Sequence, residues 1–212
     1  MRPHEEIRRI DGPAGTIELL VDAPASPRGI AIVAHPHPLY GGAASNKVAQ
    51  TLARSFAQLD YLALRPNFRG VGDSAGTHDN GLGETDDLLA VIADAEARHG
   101  ALPVALAGFS FGAYVQTRVA RRLQEAGHAA QGLVLVGLAT GTIAGDRHYE
   151  AERVPRDSLL IHGANDDTVP LVNVLAWAEP QRLPVTVIPG ADHFFHGQLQ
   201  TIRDIVLRGW RH

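Results

Sequence analysis

A chain of 212 residues that is 45% hydrophobic and 20% charged, with a formal charge of −4, is long enough to bury one sizeable core and lacks the basic excess of a nucleic-acid binder. Its lack of cysteine excludes disulfides, thiolate metal sites and a cysteine nucleophile, so covalent catalysis would fall to another residue. The opening MRPHEEIRRID has no apolar signal core and no run reaches the length of a membrane span, which predicts a single domain over 1–212, in the cytoplasm.

Residues 17–21 read as a short strand and 29–34 as a strand covered on both faces. The second leads into His35-Pro36-His37-Pro38-Leu39-Tyr40-Gly41-Gly42, which two prolines and two glycines keep out of helix and sheet. Ser45 or Asn46 can cap a helix with Val48, Leu52, Phe56 and Leu59 on one face. Residues 61–65 form the next strand, and 66–76 (PNFRGVGDSAG) is a glycine-rich loop long enough to border a site. Glu84, Asp86 and Asp87 favour a helix N-terminus, and Leu88, Ile92 and Ala95 give that helix an apolar face up to Gly100. A strand at 104–107 precedes a helix over 114–126 that turns Val115, Val119 and Leu123 inward and stops at Gly127. Strands follow at 132–138, 158–162 and 185–188, with a short helix at 171–178 and a C-terminal helix marked by Leu199, Ile202, Ile205 and Val206. Strands alternating with helices imply an α/β fold, a doubly wound and mostly parallel sheet with its sites at the carboxyl ends of the strands. The segment 139–157 is too short and too polar for a cap domain.

Chemistry centres on Gly108-Phe109-Ser110-Phe111-Gly112, between a strand and a helix. This is the nucleophile-elbow pattern, in which a turn too tight for a Cβ at either glycine holds the serine hydroxyl in the open. A serine needs a base, and of eleven histidines His193, directly after the last strand, has the chain order serine, acid, histidine that goes with this elbow. His162 lies at a strand and reads as structural, whereas His4, His99, His128 and His212 fall near termini or helix ends and read as solvated. For the acid, Asp166 and Asp167 share the loop after 158–162, and only one can face His193. Asp167 otherwise serves as a turn residue or as a cap for the helix after Pro170, and Asp192, next to the base, shapes its loop.

The oxyanion needs two donors, one of them the amide of Phe111. Pro36 and Pro38 have no N–H, which leaves His37, Leu39 or Tyr40 for the second, with Leu39 the favoured choice. The His35-x-His37 pair raises a metal site, but a proline follows each histidine and no HExxH pattern accompanies them. No metal is therefore expected: His35 ends its strand with a buried hydrogen bond and His37 shapes the loop. Arg69 and Asp73 read as a loop-bracing ion pair, Tyr40 and Phe194 as walls of an apolar acyl pocket, and Phe109 as either wall or core.

With these residues the sequence resembles the serine α/β-hydrolase superfamily, in particular its small, capless, dienelactone-hydrolase-like members. The resemblance rests on AHPHPLYGG at 34–42, NFRGVGDSAG at 67–76, GFSFGAYV at 108–115, IHGANDDTVP at 161–170 and GADHFFHG at 190–197, five pieces in the family's order. The family's HGxxDxxVP pattern puts the catalytic aspartate four residues after the histidine, at Asp166, and its GADHFF histidine falls on His193. Two departures stand out. His35-Pro36 replaces the His-Gly of many members, and a serine replaces the elbow cysteine of dienelactone hydrolases, so the dienelactone substrate does not carry over. The implied activity is cofactor-free hydrolysis of small, short-chain carboxylic esters or thioesters through an acyl-enzyme on Ser110. Amidase or peptidase action by the same triad and a non-catalytic small-molecule binder are the alternatives. The expected partner is a small ester, with neither nucleic acid nor membrane, and nothing in the sequence separates a monomer from a homodimer.

Overall fold

The computed structural model describes residues 5–211, so His4 and His212 fall outside it. The chain opens with an antiparallel hairpin of β1 (Glu5–Gly12) and β2 (Gly15–Asp22), closed by the two-residue turn Pro13-Ala14. Then come β3 (Gly29–Ala34), α1 (Lys47–Gln58), β4 (Tyr61–Pro66), α2 (Leu82–His99), β5 (Val104–Phe109), α3 (Phe111–Glu125) and β6 (Gly132–Val136). A small hairpin, β7 (Gly141–Ile143) with β8 (Arg147–Tyr149), leads to β9 (Leu159–Gly163), α4 (Leu171–Ala178), β10 (Val185–Ile188) and α5 (Leu199–Gly209). Eight strands form one sheet in the order β1-β2-β4-β3-β5-β6-β9-β10, parallel from β4 to β10, with β2 joining β4 antiparallel.

The central strands are apolar on both faces because helices cover both faces. Along β3, Ile30, Ile32 and Ala34 point into a core shared with α2, α3 and α4, while Ala31 and Val33 point into a second core under α1 and α5. Leu106 and Ala107 of β5 split the same way. With about 1.5–3 kcal/mol for each large side chain fully buried, these two layers outweigh any single polar contact in fixing where β5 ends. The C-terminal ends of β3, β5, β6, β9 and β10 consequently emerge together.

Local signals agree. Asn46, one of the two expected caps, accepts from Val48 and Ala49 N–H at the start of α1 (2.9 and 3.3 Å). Glu84 reaches back to Gly81 N–H (2.8 Å) at the start of α2. Three expectations need correction. Helix α3 starts at Phe111 rather than 114, and β6 ends at Val136 because Gly137 turns away at φ +53°. Arg69 pairs bidentately with Asp87 (2.6 and 3.0 Å) and Asp73 with Arg9, so Arg69 and Asp73 do not brace the loop together. Between β6 and β9 lies only the short hairpin and its flanking loops, with no cap domain. No helix among the described residues is long and apolar enough to cross a membrane.

Candidate active site

Strand β5 delivers the chain to Ser110 and α3 leaves from Phe111, so Ser110 must make the whole turn. It does so at φ 56°, ψ −118°, a conformation costing about 1–3 kcal/mol in a residue with a Cβ. Both glycines are required by contact. A Cβ on Gly108 would lie 2.6 Å from Ala113 N, and one on Gly112 would lie 2.4 Å from the carbonyl oxygens of Ala34 and His35. Ser110 is held from both sides, its N–H donating to Val136 O (2.9 Å) and its carbonyl accepting from Ala139 N–H (3.3 Å).

His193, in the loop after β10, sets Nε2 3.0 Å from Ser110 Oγ and Nδ1 2.7 Å from Asp166 Oδ2. A carboxylate can only accept, so the Nδ1 proton faces Asp166 and the Nε2 lone pair faces the serine. Asp166 is itself fixed, its Oδ1 accepting from Thr168 N–H (3.0 Å) and Val169 N–H (2.7 Å). All three side chains are largely buried. Phe109, in the core, packs its ring 5.0 Å from His193 and keeps the imidazole in place.

The neighbours fall where the residue types suggest, with one exception. Asp167 is exposed beside Thr168, but Pro170 precedes α4 without a side-chain cap, so Asp167 is a turn residue only. Asp192 accepts from the backbone N–H of His196 and shapes the loop. His162 is buried, with Nε2 2.9 Å from Val169 O and 3.3 Å from Asp166 Oδ2, and burial pushes its pKa down. His99 and His128 are exposed.

Loop 35–42 wraps the other side of the serine. His35 Nδ1 meets Pro36 O (2.7 Å) and Nε2 accepts from Phe68 N–H (2.9 Å); burial lowers its pKa to about 4. That occupies both ring nitrogens. His37 is also lowered to about 4, by burial and then by His78 and Arg147, and its neutral Nδ1 accepts from Leu39 N–H (3.3 Å). Leu39 is therefore corrected as an oxyanion donor: its N–H is turned onto the His37 ring. Tyr40 N–H goes to His37 O (3.1 Å), leaving the N–H of His37 as the loop donor without a partner among the described residues. The Phe111 amide, first in α3, has no intrahelical acceptor.

Tyr40 and Phe194 stand at the rim, 67% and 49% exposed. Phe194 packs edge-on to His193 (5.2 Å) and walls a cleft of about 470 Å³ against the start of α1. Tyr40 sits edge-on to His37 (4.9 Å). Residues that sequence reasoning did not single out complete this side. His78 lies 4.5 Å from the His37 ring with Nδ1 2.9 Å from buried Glu84, and Tyr149 packs 5.9 Å from Phe111. Only the glycine-rich composition around His78 hinted at this; three-residue strands such as β8 carry no periodicity to read.

Known proteins agree with this architecture. A family model described as a thioesterase domain matches residues 30–163, from β3 through β9. An uncharacterized protein of Rickettsia prowazekii is 34% identical over 194 residues, covering 87% of this chain and 80% of its own. A structure of an α/β serine hydrolase homologue from Coxiella burnetii superposes with a TM-score of 0.85 at 35% identity, covering 97% of both chains. A lidless α/β serine hydrolase from Xanthomonas campestris gives a TM-score of 0.85 at 36% identity, covering 97% of this chain and 93% of its own. With that family match spanning more than half its length, the chain belongs to the thioesterase-domain family and is a hydrolase of the α/β-hydrolase superfamily.

Proposed function

We propose that this hydrolase cleaves small carboxylic esters or thioesters by acyl transfer through Ser110. The observation that carries the proposal is the unbroken line from Asp166 Oδ2 through His193 to Ser110 Oγ, 2.7 and 3.0 Å, on a strained elbow. Ser110 Oγ attacks the carbonyl carbon as its proton passes to His193 Nε2, and ionised Asp166 stabilises the imidazolium. The tetrahedral oxyanion is received by the N–H groups of Phe111 and His37, each worth about 10²–10³-fold in rate. His193 then protonates the leaving alkoxide or thiolate, and water repeats the sequence on the acyl-enzyme. The thioesterase-domain match supports including thioesters. The chemistry uses only side chains and amides of the chain.

The short hairpin over the site leaves no lid to shelter a long chain, which favours short acyl groups. Ser110→Ala is expected to abolish turnover of 4-nitrophenyl acetate, and a fluorophosphonate probe to label wild type at Ser110. Wild-type activity in Ser110→Ala, or no labelling of folded wild type, refutes the assignment. Among acetate, butyrate and palmitate esters, a preference for palmitate would refute the short-chain reading.

A further inference from the structure

The His37 side of the site carries a cation that the proposed mechanism does not use. Arg147 opens β8, and its hairpin is tied down rather than loose. Asn173 Nδ2 donates to Thr140 O (3.1 Å) and Thr142 O (2.7 Å), Ala144 N–H donates to Thr168 O (3.0 Å), and Tyr149 is buried 5.0 Å from Tyr114. From that base Arg147 Nε donates to Ala144 O (3.0 Å) and the guanidinium lies over the Tyr40 ring, 4.3 Å from its centroid. Stacking covers one face of the guanidinium; its edge, which also hydrogen-bonds the Tyr149 side chain, carries the N–H groups that can meet an acceptor in the plane.

Among the described residues Arg147 makes no ion pair, whereas Arg69 is matched by Asp87, Arg9 by Asp73 and Arg121 by Glu152. The guanidinium is linked to the elbow through stacked rings, and its charge is felt at the His37 imidazole. Tyr40 beneath it touches His37, and the His37 ring is 4.8 Å from that of Phe111, the residue after Ser110. Holding an arginine beside the His37 loop, on a rigid support and without a carboxylate, leaves its charge available to a ligand.

We infer that Arg147 recognises a second, non-reacting anionic group of the substrate, a carboxylate or a phosphate, making the preferred substrates anionic esters or thioesters. The inference rests on the reading of Ser110 as the nucleophile. A hydrogen bond to a charged group contributes about 1.5–3 kcal/mol, which corresponds to roughly 10–100-fold in kcat/KM.

Two matched pairs test it with the full chain. Mono-4-nitrophenyl glutarate against 4-nitrophenyl butyrate places a carboxylate on the acyl side. S-butyryl-4′-phosphopantetheine against S-butyryl-pantetheine places a phosphate on the leaving side. Wild type is expected to favour the charged member of at least one pair, with an advantage that shrinks as salt is raised. Arg147→Gln is expected to cut that charged-to-neutral ratio 10–100-fold, mainly through KM, and Arg147→Lys to restore part of it. The pair that responds identifies the anion. A wild type favouring the neutral member of both pairs, or a ratio in Arg147→Gln within twofold of wild type, overturns the inference. The salt dependence of wild type gives a readout that needs no variant. Turnover of none of the four together with no fluorophosphonate labelling would instead bring down the nucleophile assignment, and this inference with it.

Discussion

Asp166→Asn separates the charge of the acid from its shape, and the surroundings of Asp166 decide which way the amide will face. Oδ1 accepts from two backbone N–H groups, Thr168 (3.0 Å) and Val169 (2.7 Å), so the amide oxygen must take that position. The opposite orientation would point an NH₂ at two donors and leave them unsatisfied at about 1–3 kcal/mol each. The NH₂ therefore takes the place of Oδ2, 2.7 Å from His193 Nδ1 and 3.3 Å from His162 Nε2. A donor facing Nδ1 forces the imidazole proton onto Nε2, which faces Ser110 Oγ. The base then has no lone pair for the serine, and the imidazolium has lost its counter-charge. A fall in kcat of about 10⁴-fold, about 5.5 kcal/mol, is expected for 4-nitrophenyl acetate, with partial recovery at alkaline pH. Because both backbone bonds survive, unfolding stability should drop by only about 1 kcal/mol. Steady-state kinetics with urea unfolding on the same preparation checks both numbers. A kcat within tenfold of wild type would refute the tautomer reasoning, and a large stability loss would refute the assigned orientation.

Further outcomes follow from other contacts. Gly112→Ala sets a Cβ against two backbone carbonyls that cannot rotate away, so a stability loss toward the upper end of about 1–3 kcal/mol is expected, with a kcat loss of about 10²-fold as the Phe111 amide shifts; thermal melts and ester kinetics measure both. Arg65→Met removes the partner of buried Asp22 (3.0 Å), and urea unfolding should show a cost of about 3–5 kcal/mol, partly recovered in Arg65→Met/Asp22→Leu. Burial holds His35 at about 4 in the folded chain against about 6.5 unfolded, so the unfolded state binds the extra proton between those values. Stability is therefore fully present above pH 6.5 and is lost as pH falls, by about 1.4 kcal/mol per pH unit or about 3 kcal/mol by pH 4 for His35 alone, and His35→Gln should flatten that slope in urea titrations.

Central strands were legible because helices cover both of their faces, leaving continuous apolar runs such as Gly29–Ala34 that match the observed element residue for residue. The edge was not. Strand β1 reads EEIRRIDG, with Ile7 59% exposed and Ile10 buried, so its apolar residues are three apart and follow no strand period. Its existence depends on the Pro13-Ala14 turn bringing it beside β2, a pairing with no apolar face to announce it. The hairpin β7–β8 fails the same test, with three residues per strand.

The serine–histidine–aspartate line was legible because each member stands in the turn or loop that follows a strand, and parallel strands carry their C-terminal ends to one place. The oxyanion loop was not, for a reason visible in its hydrogen bonds. Removing the proline nitrogens leaves three amides, and sequence alone treats them as equal. The fold separates them through the His37 side chain and carbonyl, which take the N–H groups of Leu39 and Tyr40 into a 3₁₀ turn, Pro38–Tyr40. Only an uncharged imidazole can accept the Leu39 N–H, and burial keeps His37 neutral down to about pH 4. One residue thus closes the turn with its ring and carbonyl while its own amide, the donor proposed for the oxyanion, has no partner among the described residues. His37→Ala keeps that amide but releases Leu39, and rates should fall while serine labelling persists; a variant with wild-type kcat would show that the turn holds without the ring.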